Sequence, residues 1–99
     1  MIGSVVKTFI QTRTGGLVLS RVPEADTYIY MWKAVLFDAR GKELRSAIGN
    51  EKVLDLLEDC KEEDIFPYHE LEEVNTIIDK VIDSIENKKK FKYIWTYFN

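Results

Sequence analysis

The chain is short of several residue types at once, and each shortage removes a class of function. Cys60 is the only cysteine among 99 residues, so no intrachain disulfide can form and a reducing compartment fits. His69 is the only histidine, and together with one cysteine it falls short of the four ligands a zinc site normally needs. No apolar run approaches the roughly 20 residues that span a bilayer, and Met1 to Thr14 alternates instead of forming an apolar signal core. A cytoplasmic protein with no membrane partner is expected. The five glycines include no phosphate-loop or dinucleotide pattern, because Thr14-Gly15-Gly16 sits between two strand-like runs instead of opening a helix. No serine carries flanking glycines of a nucleophile elbow. His69 has Glu73 four residues on, the spacing of a base and its orienting acid on a helix, yet no nucleophile or second base accompanies it. A non-enzymatic protein without cofactor or metal is expected.

Gln11 is the only glutamine, while charged residues reach 31% of the chain. Heat-tolerant proteins share this bias away from thermolabile side chains, and a chain this short also reaches it by sampling.

What is present is a good supply of apolar residues, 45% of the total, enough for one core and one domain over residues 1–99. Val5 to Arg13 alternates, with Lys7, Phe9, Gln11 and Arg13 on one side, and predicts a strand. Thr14, Gly15 and Gly16 predict a turn, Leu17 to Val22 a second strand, and Pro23 its end. Thr27 to Phe37 is aromatic and β-branched on both sides, as in a strand near the middle of a covered sheet or at an interface. Asp38 to Gly41 suits a type I turn closed by a left-handed glycine, and Lys42 to Ile48 returns as a fourth strand.

The period then changes. Asn50 is a suitable N-cap for a helix to Cys60 carrying Val53, Leu54, Leu56 and Leu57. Beyond Pro67, Leu71, Val74, Ile77, Ile78, Val81, Ile82 and Ile85 recur at three and four residues and predict a helix over Tyr68 to Asn87. Phe91, Tyr93, Trp95 and Tyr97 alternate with Lys92, Ile94, Thr96 and Phe98, which predicts a closing strand. The expected fold is α+β, an antiparallel sheet of about five strands with two helices on one face, in the order ββββααβ.

Two surface features remain. The net charge of −3 hides a division: Met1 to Gly49 has 7 basic and 4 acidic residues, Asn50 to Asn87 has 3 and 13, and Lys88 to Asn99 has 4 and none. Because the helical stripes must face the core, Asp55, Glu58, Asp59, Glu62 and Glu63 form an acidic outer surface, which either solubilises the protein or docks a basic partner. The aromatics Tyr28, Tyr30 and Trp32 of one predicted strand, with Tyr93, Trp95 and Tyr97 of another, suit an uncovered sheet face that a two-fold dimer would bury. Interleaved Lys7, Arg13, Lys33, Arg45 and Lys92 allow a second reading of that face, as a platform for nucleic acid.

Short strands, an aromatic C-terminal stretch and a charged, glutamine-poor composition give the whole chain the character of small proteins from filamentous and rod-shaped viruses of hyperthermophilic archaea, which it resembles. That resemblance implies a homodimeric viral accessory protein acting in the host cytoplasm, with a host protein, such as a defence component, as partner of the acidic face.

Overall fold

The computed structural model describes residues 6–23 and 30–98, with side chains described over 7–22 and 31–89. The alternating segments become four strands, β1 (Val6–Gln11), β2 (Gly15–Pro23), β3 (Tyr30–Asp38) and β4 (Glu43–Ile48). Each pairs antiparallel with the next, so the sheet order is β1-β2-β3-β4. Cross-strand registers Phe9↔Val18↔Val35 and Ile10↔Leu17↔Leu36 set two opposite faces. The first turn differs from expectation, since Gly15 and Gly16 are the first residues of β2 and the loop is Thr12 to Thr14, closed by the Thr12 N–H donating to the Gly15 carbonyl at 3.1 Å. Their smallness serves packing instead of turning. A Cβ on Gly15 would fall on the Phe37 carbonyl oxygen, and one on Gly16 would fall on the Phe9 ring. At the β3–β4 turn the sequence reading holds: the Gly41 N–H donates to the Asp38 carbonyl at 3.0 Å, and Gly41 has φ of 82°.

Two helices cover one face. In α1 (Asn50–Glu62), Val53, Leu56, Leu57 and Cys60 are buried, and in α2 (Leu71–Phe98) so are Val74, Ile77, Ile78 and Val81. They meet Ile10, Leu17, Leu19, Trp32, Ala34 and Leu36 from the sheet, with Phe66 of the connection closing the core. Ile82, though part of the predicted stripe, lies at its margin and is partly exposed.

Asn50 is the first residue of α1, not its cap. Gly49 takes that position with φ of 108°, and the Asn50 side-chain oxygen instead accepts a hydrogen bond from the Trp32 N–H at 2.9 Å. The Gly49 N–H donates to the Trp32 carbonyl at 2.9 Å, so both peptide groups of Trp32 hold the corner where β4 becomes α1.

The predicted fifth strand is absent. Phe91 to Phe98 continues α2, giving four strands and the order ββββαα among the described residues. Nothing in Ser84 to Lys90 ends a helix: there is no glycine or proline, and lysines propagate helix well. Adding a residue to an existing helix secures one hydrogen bond locally, whereas a new strand needs a free sheet edge to pair with.

Candidate functional site

The two faces of this layered arrangement differ chemically. On the helical side, burial of Val53, Leu56, Leu57 and Cys60 turns the intervening residues outward, so Asp55, Glu58, Asp59 and Glu62 are exposed, and Glu63 follows them at the end of α1, also exposed. Arg45 of β4 donates to Glu63 Oε2 at 2.6 Å. That hydrogen bond raises the Arg45 pKa above its ordinary value. Among the described residues, Asp55, Glu58, Asp59 and Glu62 have no ion-pair partner. Asp64, just beyond, adopts φ of 57°, and its carbonyl accepts from Arg13 Nε at 2.9 Å. Beneath this surface the Cys60 thiol is buried, and burial pushes its pKa up, with Glu63 and Asp59 adding to the effect and Arg45 opposing it.

His69 lies in a single 3₁₀ turn (Tyr68–Glu70), exposed, with its Nε2 4.0 Å from Glu70 instead of paired with Glu73. Glu70 is itself engaged, its Oε2 accepting the Gln11 N–H of edge strand β1 at 2.9 Å. No group of three His, Cys, Asp or Glu side chains among the described residues is placed to hold a metal ion.

No helix or strand among the described residues covers the opposite, open face of the sheet. Its grid follows from register: Lys7, Ser20, Lys33 and Ile48 form one row, Phe9, Val18, Val35 and Ser46 the next, and Gln11, Gly16, Phe37 and Glu43 the third. Phe9 is 64% exposed and Ile48 55%, large values for apolar side chains on a sheet. Leu44, in the β-bulge where the register slips beside Leu36 and Phe37, is 49% exposed.

Trp32 is not part of this open face. It points to the helices and is 6% exposed, its Nε1 donating to Ser84 Oγ of α2 at 3.0 Å while the Arg21 guanidinium lies over its ring at 5.9 Å. The reason is parity, since Trp32, Ala34 and Leu36 share one side of β3 and that side is the covered one. Tyr30 opens β3, and Tyr93, Trp95 and Tyr97 lie in α2, with side chains outside those described; Tyr28 lies outside the described residues. Because Tyr93, Trp95 and Tyr97 are helical, they belong to no sheet face. Of the five interleaved cations, Lys7 and Lys33 stand on the open face, whereas Arg13 is held by Asp64, Arg45 by Glu63, and the Lys92 side chain lies outside those described.

Sequence reasoning therefore missed Phe9, the most exposed large apolar side chain among the described residues of the sheet. A signal existed, because Phe9 shares its side of β1 with Lys7 and Gln11, and an apolar residue within a polar row is either an edge plug or a contact.

Together these features define a four-stranded antiparallel meander with two helices on one side. No protein-family model matches the chain, nor does any curated protein or solved structure compared with it. No helix among the described residues is long and apolar enough to cross a membrane.

Proposed function

We propose that this chain is a non-enzymatic protein-interaction module that docks a basic partner protein on the acidic outer surface of its helical layer. The observation that carries this reading is the placement of the α1 acids. Asp55 and Asp59, Glu58 and Glu62, and Asp59 and Glu63 are like-charge pairs four residues apart on an exposed helix face. Each such pair is unfavourable by about 0.2–0.5 kcal/mol in an isolated helix. Of these acids, Glu63 alone forms an ion pair with a described cation, Arg45, which also feels Asp59 at longer range. A partner presenting lysine or arginine relieves this repulsion, and the rigid helix beneath presents the charges at fixed spacing. A host protein with a basic surface, such as the defence component the viral resemblance implies, has the required chemistry.

The test couples binding to stability. Asp59→Lys converts two repulsive pairs into attractive ones, a change of roughly 0.8–2 kcal/mol for the two pairs alone, while setting a new cation near Arg45. The variant should therefore be more stable than the wild type by about 0.5–1 kcal/mol in urea unfolding. The same variant should lose capture of its partner from host extract, and the wild-type complex should weaken steeply with added salt. Retention of the same partner by Asp59→Lys together with Glu58→Lys would remove the helical face as the docking surface.

A further inference from the structure

We infer that the open face of the sheet is a homodimer interface, in which two copies pack face to face and Lys33 of one reaches diagonally to Glu43 on the neighbouring strand of the other. The face is self-complementary along the strands. Its basic row (Lys7, Lys33) and its acid-bearing row (Gln11, Phe37, Glu43) flank a middle row of Phe9, Val18 and Val35. A two-fold axis lying between the sheets and running across the strands lays the basic row of one copy on the acid-bearing row of the other. The same axis sets the apolar middle rows against each other, so that Phe9 meets Phe9 and Val35 meets Val35. Such isologous contact is the commonest way for two identical chains to associate.

Size supports this occupant. Four strands spaced about 4.8 Å apart, six to nine residues long at about 3.3 Å each, present a face of roughly 400–550 Å² per copy. Two such faces bury about 1,000 Å² in all, near the lower bound for a specific interface. Sheets packed in this way twist about 30° relative to one another and keep their inner side chains interdigitated. Half-buried Val18, Val35 and Phe37 provide the flat centre, and Phe9, whose ring lies over Gly16 and is 64% exposed, provides the anchor.

Sedimentation equilibrium on the full chain tests this interface. The expected mass is twice the 11.6 kDa of one chain. Phe9→Lys should raise the dimer dissociation constant about a hundredfold or more, since each dimer loses two phenyl anchors. Lys33→Glu should weaken the dimer about tenfold, and adding Glu43→Lys in the same chain should restore it to within about threefold of wild type. Within one chain Lys33 and Glu43 are separated by roughly 13 Å of strand, beyond the Debye length, so the rescue reports contact between copies. Lys7, Phe9, Lys33 and Glu43 are all exposed in the single chain, so these variants should still fold cooperatively and melt lower only by the stabilisation that dimerisation itself gives. Asp59→Lys, on the other layer, should leave the mass unchanged, which separates this interface from the acidic docking surface. A monomeric wild type, a dimer indifferent to Phe9→Lys, or failure of the charge swap to rescue would each overturn the interface. So would a monomer that binds single-stranded RNA through Phe9 and Lys33, which would make the face a nucleic-acid platform.

Discussion

Trp32 does most to hold the layers together. Its peptide N–H and carbonyl fix the β4–α1 corner through Asn50 and Gly49, while its indole reaches α2 through Ser84. Its burial answers one question the sequence left open, because a strand apolar on both sides does not say which side the helices cover. The adjacent glycines show how residue-scale geometry separates superficially similar changes. Gly15→Ala would push a methyl group into the β3 backbone, which cannot yield, and is expected to lower stability by about 1–3 kcal/mol. Gly16→Ala would meet the exposed Phe9 ring first, a side chain that can rotate away, and is expected to lower it by less than about 1 kcal/mol. Urea unfolding of the two variants side by side checks the contrast; equal losses would contradict it.

Cys60 gives the residue scale a pH dependence. Burial raises the thiol pKa in the folded protein, so the unfolded chain ionises first as pH rises. The native state then holds more protons than the unfolded one, and this contribution to stability is complete below the unfolded thiol pKa and is lost as pH climbs toward the higher native value. Above the unfolded thiol pKa of about 8.5, wild-type stability should fall faster with pH than that of Cys60→Val. Thiol reagents should label Cys60 only as the protein unfolds, and parallel slopes for the two proteins would count against the raised pKa.

At the scale of elements, the strands and both helices were legible from different signals. β1 alternates, β2 and β3 are apolar and β-branched runs bounded by turn residues, and β4 follows the turn at Asp38 to Gly41. The stripe from Leu71 to Ile85 returns every three or four residues with Val74, Ile77, Ile78 and Val81 buried. Ile78→Asp places a carboxylate in that core and is expected to abolish cooperative folding, as read by loss of the near-ultraviolet aromatic signal. A soluble variant with a sharp melting transition would contradict this packing. The end of α2 was not legible. Eight residues with aromatics on both sides satisfy a strand pattern as well as a helix, and only the lack of a stop between Ile85 and Phe91 separates the two. The two glycines after Thr14 misled for a related reason: glycine marks close approach as often as it marks a turn, and only the partner strand shows which applies.

For the whole molecule, the division of charge was legible and the exposed apolar face only partly so. The acids of Asn50 to Asn87 must point outward once the stripes point inward, and the α1 acids Asp55, Glu58, Asp59 and Glu62 do. Which aromatics meet solvent depends on the parity of each strand relative to the helices, which no single strand reveals. One parity choice sent Trp32 inward and left Phe9 outside. The open face is consequently built from residues drawn from all four strands and continuous only after folding.

The strictly sequential strand order has a consequence in time. Every strand pairs with its immediate successor, so the whole sheet can form by closing short loops, the least entropically demanding contacts available to a chain. The core-facing stripe of α2 is synthesised later, and at about 5–20 residues per second the stretch from Ile48 to Val81 takes a few seconds to emerge. Until α1 and then α2 emerge, a nascent sheet has neither face covered, with Leu17, Leu19 and Leu36 as bare as Phe9 and Val35. The meander that makes the fold easy to reach also creates a brief window in which newborn chains are most prone to stick to one another.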